Sequence, residues 1–197
     1  MKPKILSFAG SARQESFNKK LIKIAAEGAH KAGGEVTLID LKDFTLPLFD
    51  QDLEAREGLP VNALKLKELF KAHQGLLIAS PEYNSSVTPL LKNTIDWVSR
   101  QTPDEKPLEC FSGKTAALVS ASPGALGGLR GLVHLRAILG NIQVLVIPEQ
   151  IAVSKAHEAF SADGSLKNAD QQTAVENVGN RLAKLLLKIA ATDPGEK

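Results

Sequence analysis

Ile5-Leu6-Ser7-Phe8-Ala9-Gly10-Ser11-Ala12-Arg13-Gln14-Glu15-Ser16-Phe17-Asn18 is the stretch whose reading decides the fold. An apolar run, Ile5 to Ala9, passes into a polar loop and then into a helix-patterned segment that starts near Asn18. Strand, loop and helix N-terminus follow in that order. Backbone N–H groups left free at a helix start, together with the positive end of the helix dipole, make an anion site. Ser11, Ser16 and Asn18 add hydroxyl or amide donors, and Arg13 adds a charged fork suited to phosphate oxygens. The stretch reads as a cradle for a phosphate monoester. An ordinary strand-to-helix loop with a Ser or Asn cap fits the same letters.

Two commoner phosphate loops fail here. Counting from Gly10, a P-loop needs Gly-Lys and then Ser or Thr where Glu15-Ser16-Phe17 stands. A dinucleotide fingerprint needs glycines where Ala12 and Glu15 stand. Without glycines for close approach to a pyrophosphate, side chains must do more of the binding. A terminal monophosphate such as that of FMN suits this arrangement better than the inner phosphates of a nucleotide.

The length of 197 residues suits one domain, here placed at residues 1–191, with a flexible tail over 192–197. Hydrophobic content of 43% and charged content of 23% are those of an ordinary globular chain. The net charge is only +2, the Lys and Arg residues form no basic run, and aromatic residues make up 5%. A nucleic-acid surface is therefore not expected. Cys110 is the only cysteine, which excludes an internal disulfide and any Cys-x-x-Cys motif. His30, His73, His134 and His157 are far apart and form no H-E-x-x-H pattern, so no metal site is expected. After Met1-Lys2-Pro3-Lys4 the chain reaches charged residues too soon for a signal peptide. It also lacks a run of about 18 apolar residues, so no membrane span is expected and a cytoplasmic setting fits.

Leu21, Ile22, Ala25, Ala26 and Ala29 recur at helical spacing up to Gly33-Gly34, and Glu35 to Asp40 reads as a second strand. The next twenty residues carry Pro47, Gly58 and Pro60 without a clean period and predict a long surface loop. Its Leu46-Pro47-Leu48-Phe49 segment is placed either over a site or against a partner subunit. Val61 to Ala72 is a helix by pattern, and Gly75 to Ser80 is an apolar strand of the kind covered on both faces. A second loop, Pro81-Glu82-Tyr83-Asn84-Ser85-Ser86, leads to a helix with Pro89 in its first turn, running to about Arg100. Val87, Leu91, Thr94, Ile95 and Val98 form its core stripe, with Thr94 bonded back to the helix backbone. Leu90 and Trp97 lie on the flank, which reads either as core edge or as a subunit contact, the aromatic favouring the contact.

Lys114 to Ser120 is a fourth strand, followed by a small-residue loop, Ala121 to Gly128, and a helix over Leu129 to Leu139. Gln143 to Ile147 is a fifth strand ending at Pro148, residues 154–170 are loop-like, and Val175 to Ile189 defines a closing helix. Five strands alternating with five helices, joined by right-handed crossovers, predict an α/β three-layer sandwich. The expected flavodoxin-like sheet is parallel, with strand order 2-1-3-4-5 and helices on both faces. Ligands in such folds bind beyond the carboxyl ends of the strands, where the loops after strands one and three converge.

Gly10-Ser11-Ala12-Arg13-x-x-Ser16-Phe17-Asn18 resembles a motif of the NADPH-dependent FMN reductase family. So does Pro81-Glu82-Tyr83-Asn84 with Leu91-Lys92-Asn93-x-Ile95-Asp96-Trp97, and so does Gly127-Gly128-x-Arg130 with Leu135-Arg136. The resemblance covers roughly residues 4 to 150, and its three motifs stand in the right order. It implies that Ser11, Arg13, Ser16, Phe17 and Asn18 hold the FMN phosphate. It further implies that Pro81, Glu82, Tyr83, Asn84 and Ser85 line the isoalloxazine, with Ser122 flanking it. No side chain is expected to act as catalytic acid or nucleophile, because the flavin supplies the redox chemistry.

The implied activity is hydride transfer from NADPH or NADH to FMN, then reduction of a small acceptor by a ping-pong mechanism. Free flavin, quinones, azo compounds and metal oxyanions are the acceptor classes, and a homodimer or homotetramer is the implied assembly. Two other classes share the fold. An FMN-holding electron carrier of flavodoxin type needs no NAD(P)H, but such carriers are strongly acidic and this chain has a pI near 8.6. A phosphoryl-receiving module needs acidic residues after strands one and three, where Gly10-Ser11 and Ser80-Pro81 stand.

Overall fold

In the computed structural model, which describes residues 2–192, a five-stranded sheet carries the chain's order of elements. The strands are β1 (Lys4–Ala9), β2 (Glu35–Asp40), β3 (Gly75–Ala79), β4 (Thr115–Ala121) and β5 (Leu145–Val153). All neighbours pair in parallel, in the order β2-β1-β3-β4-β5. The helices are α1 (Phe17–Lys31), α2 (Gln51–Glu57), α3 (Val61–Ala72), α4 (Pro89–Val98), α5 (Leu129–Asn141), α6 (Ala156–Ala159) and α7 (Ala169–Thr192).

Successive side chains of a strand point to opposite faces, and the central strands use both. Ile5, Leu77, Ala117 and Val119 pack under α1 and α7, while Leu6, Phe8, Leu76, Ile78 and Leu118 pack under α3, α4 and α5. This is why every residue of β3 and β4 is buried, whereas β2, on one edge, has only half-buried and exposed residues. On the first face α1 and α7 touch backbone to backbone. A Cβ on Gly28 would stand 1.9 Å from Glu176 O, and one on Gly179 1.9 Å from Ala25 O.

Five helices were expected and seven are described. The expected loop after β2 contains a 3-10 turn, Leu41–Asp43, and α2, none of whose side chains is buried. Periodicity cannot reveal such a helix, which depends on its cap: Asp50 Oδ1 accepts from Asp52 N at 2.8 Å and Leu53 N at 2.9 Å. The fifth strand does not end at Pro148. Ala116 pairs with Val146 and Leu118 with Gln150, so residues 147–149 bulge opposite Ala117 on an edge strand, where proline is tolerated. Arg136 Nη1 holds the bulge by donating to Val146 O at 3.2 Å and Ile147 O at 2.9 Å. α6 interrupts the loop-like segment, and Thr192 belongs to α7; the rest of the expected tail, 193–197, lies outside the described residues.

Thr94 Oγ1 donates to Leu90 O at 2.8 Å, as its place in the stripe implies. Of the two readings of the Leu90 and Trp97 flank, Trp97 follows core edge rather than subunit contact. It is 0% exposed and covered from within the chain. Pro47 O accepts from Trp97 Nε1 at 2.8 Å and Asn93 Nδ2 at 2.9 Å, and the Phe49 ring meets Trp97 edge-on at 5.0 Å. The Leu46–Phe49 segment is thus a strap across α4, and Leu90 packs against the core beneath.

Candidate active site

The sheet brings three loops to one end and keeps them side by side. Its ladder continues one residue beyond the strands: Gly10 N donates to Ala79 O at 2.9 Å, Ser80 N to Val119 O at 2.9 Å and Ser122 N to Val153 O at 3.1 Å. Thr88, the N-cap of α4, ties the first two loops together. Its hydroxyl donates to Gly10 O at 2.7 Å and accepts from Leu91 N at 3.2 Å.

Above this platform Ser11, Arg13, Ser16, Phe17 and Asn18 meet Pro81, Glu82 and Tyr83 from the second loop and Ala121, Ser122 and Pro123 from the third around one cleft. Asn84 and Ser85 do not line it. They form the tip of a tight turn, at φ +50° and +66°, between Tyr83 and Ser86, whose backbones exchange two hydrogen bonds of 3.0 Å. Two left-handed residues in a two-residue hairpin match the twist of its arms.

The first loop keeps donors open at the cleft. Ser16, the N-cap of α1 and 3% exposed, makes no side-chain cap bond; Lys19 N donates to Ser16 O at 3.1 Å, and the Phe17 and Asn18 amides before it are the ones a helix start offers to an oxyanion. Ser11 Oγ accepts from Arg13 N at 3.3 Å and Ser122 Oγ from Gly124 N at 3.3 Å, so both hydroxyl hydrogens can still be donated. Arg13 Nη2 donates to Glu15 O at 3.3 Å, holding its guanidinium at the loop. Asn18 is different: Nδ2 donates to Ala121 O at 2.8 Å and Oδ1 accepts from Ala121 N at 3.0 Å. Its carboxamide stitches α1 to β4.

The space within the cleft is about 60 Å³. That is far below the roughly 300–1,000 Å³ that encloses a whole drug-sized ligand. A space of that size has room for a phosphate group but not for a whole nucleotide, and beside it Tyr83 is 50% exposed. Donor set and dimensions fit FMN. A larger cavity of about 560 Å³ lies beyond Ser16, between α1 and β2, rimmed by Lys19, Lys20, Lys23 and Lys42. It takes only Gln14, Glu15 and Ser16 from the three loops, and Lys19 closes its polar wall on Asp40 at 2.5 Å.

Glu82 turns its carboxylate toward α5. Oε1 accepts from Arg130 Nε at 3.0 Å and Nη2 at 2.7 Å, and Oε2 accepts from Gly131 N at 2.9 Å. Burial raises its pKa, but the Gly131 N–H and the Arg130 guanidinium outweigh that and hold the carboxyl below its ordinary range. Sequence reading missed Ala121 and Pro123 as lining residues, and it missed Thr88 as the tie between loops. Thr88-Pro89, a capping hydroxyl before a proline, was the available signal for the last.

Residues 3–158 match the family model described as NADPH-dependent FMN reductase. An NAD(P)H-dependent FMN reductase of Pseudomonas aeruginosa is 38% identical over 164 residues, covering 83% of this chain and 84% of the relative. The quinone reductase of Escherichia coli K12 is 36% identical over 146 residues, 74% of each chain. Among solved structures, the flavoenzyme NAD(P)H:(acceptor) oxidoreductase FerB of Paracoccus denitrificans superposes with a TM-score of 0.79 at 26% identity, covering 94% of this chain and 98% of that one.

Proposed function

The chain belongs to the NADPH-dependent FMN reductase family, and on that footing we propose how its own residues serve an FMN-dependent NAD(P)H oxidoreductase. FMN, when bound, would supply the two-electron redox chemistry. The protein's tasks are to hold, orient and expose. Ser11, Ser16, the Arg13 guanidinium and the amides at the start of α1 hold the phosphate. Pro81, Glu82, Tyr83 and the turn at Asn84 and Ser85 border the ring on one side, and Ser122 borders it on the other. The observation that carries this reading is the convergence of three loops on a phosphate-sized, donor-lined cleft below an open face.

One open slot serves donor and acceptor in turn, so two-substrate kinetics follow a ping-pong pattern. A slot with few fixed polar contacts discriminates poorly among flat acceptors. Quinones and free flavin come first as acceptor classes, since the relatives are named for them, and azo compounds and metal oxyanions follow. NADPH or NADH serves as donor. The assembly we propose is a homodimer or homotetramer, to be read by light scattering, and the setting is cytoplasmic. Among the described residues no helix is long and apolar enough to cross a membrane.

An anaerobic titration of the FMN-reconstituted protein with NADPH, and separately with NADH, tests the reading. Bleaching of the visible flavin band by either is the expected result and names the donor. Tight FMN binding without bleaching would instead make the protein an electron carrier, and absence of FMN binding would remove the cradle.

A further inference from the structure

α5 has no cap of its own. Its N-cap, Gly128, sits at φ +94° and has no side chain to offer. The acceptor comes from the second loop, where Glu82 takes the Gly131 N–H on one oxygen and the Arg130 fork on the other. Such a carboxylate at a helix N-terminus also meets the positive end of the dipole. The approach is close by construction: a Cβ on Gly131 would stand 3.2 Å from Ser86 O and 3.4 Å from Glu82 Cβ. Below it, a Cβ on Gly128 would stand 2.0 Å from Ser120 Oγ, the hydroxyl that donates to Ser80 O at 2.7 Å. The turn held by this contact is tied to α5 a second time, by the 2.9 Å hydrogen bond between His134 Nδ1 and Ser86 Oγ. Asn84 and Ser85 both lie in the left-handed region, which serine does not favour on its own.

We propose that Glu82 and Arg130 form a positioning latch. It holds the Tyr83–Ser86 turn over the open face of the cleft and so sets the height of the slot in which a nicotinamide or an acceptor stacks. This rests on the reading of the cleft as the FMN site. Neither side chain acts on reacting atoms; both act through Tyr83 and the turn backbone. The latch also accounts for Gly128-x-Arg130-Gly131, since glycine is needed where the loop meets the helix and arginine where the carboxylate must be gripped in two places.

Arg130 is 57% exposed at its side chain, so Arg130→Met will fold while losing the fork, and Arg130→Lys keeps the charge without the two-point grip. In the apoprotein, amide exchange at Tyr83, Ser86 and Gly131 should quicken about tenfold in Arg130→Met, with β1 and α7 unchanged. In the FMN-loaded protein, the visible circular dichroism of the flavin should change. Its reduction by NADPH at saturating FMN should slow about ten- to a hundredfold, as small misplacements do. Arg130→Lys should recover only part of either effect, and the FMN dissociation constant should stay within about threefold, because the phosphate cradle is untouched. Unchanged exchange at the turn, or a wild-type reduction rate in Arg130→Met, would overturn the latch alone. A wild-type protein that binds no FMN would overturn the reading of the cleft and the latch's role with it.

Discussion

Asn18→Ala removes both hydrogen bonds that join the first turn of α1 to the end of β4, at 2.8 Å and 3.0 Å. Asn18 and Ala121 are each 3% exposed, so the Ala121 N–H and C=O are left without protein partners in a place water barely reaches. Each orphaned group costs about 1–3 kcal/mol, which puts the pair at about 2–6 kcal/mol, and a water entering the vacated space would bring the loss to the lower end. At about 2–4 °C per kcal/mol for a chain of this size, the low end already lowers Tm by about 4–8 °C. The assay is thermal and urea unfolding of the apoprotein, with FMN affinity measured in parallel by fluorescence quenching. Asn18→Asp sharpens it: one oxygen still accepts from Ala121 N–H, while the other, in place of the donor, faces Ala121 O. That variant should be destabilised at neutral pH and recover toward its carboxyl pKa. If Asn18→Ala kept apoprotein stability within about 0.5 kcal/mol and lost only FMN affinity, the side chain would be a phosphate ligand and the stitch would carry no weight.

Three other outcomes follow from the same geometry. Arg13→Ala should weaken FMN binding by about 1.5–3 kcal/mol, or about ten- to a hundredfold, through loss of a charge-assisted contact, and an unchanged affinity would exclude Arg13 from the cradle. Glu105, with side-chain exposure of 8%, meets Lys67 at 2.7 Å, Lys71 at 3.1 Å and Thr102 N at 3.1 Å. Burial raises its pKa, yet Lys67, the Thr102 N–H and Lys71 prevail and hold it at about 2. A carboxyl lowered by folding stabilises above its unfolded pKa of about 4.3 and loses that contribution as pH falls toward 2, here roughly 3 kcal/mol. Urea unfolding should therefore show a shallower loss between pH 5 and 2 in Glu105→Gln than in wild type, and parallel profiles would contradict the assignment. Finally, two glycine-to-alanine changes should have opposite signs. Gly179→Ala drives a Cβ into Ala25 O and should cost about 1–3 kcal/mol or more, whereas Gly140→Ala in α5, with open space around it, should stabilise by about 0.5–1 kcal/mol.

Much of the fold was legible because burial period is a local property. The unbroken apolar letters of Gly75 to Ala79 announce a strand covered on both faces, and the spacing of Leu91, Ile95 and Val98 announces a helix facing a sheet. The three special loops were legible too, because each follows a strand and precedes a helix, and parallel strands place such loops at one end. Trp97 shows where this stops. Its position on the helix marked it as an uncommitted apolar side chain, but periodicity says that a residue is covered, not by what, and the cover is a strap from residues 46–49.

The sequence by itself thus determined the order of the five strands and five larger helices, the parallel three-layer architecture, and the end of the sheet where Ser11, Arg13, Ser16, Tyr83 and Ser122 come together. Only the tertiary structure decided what the polar side chains do there. Asn18 and Glu82 could each have been written onto a ligand from their letters, yet one is bonded to Ala121 and the other to Arg130 and Gly131. A helix or strand is selected by neighbours a few residues away, whereas a buried amide or carboxylate takes whichever partner the packed chain brings within about 3 Å. The partner of Asn18 is 103 residues distant in sequence and that of Glu82 is 48, and no local pattern encodes either choice.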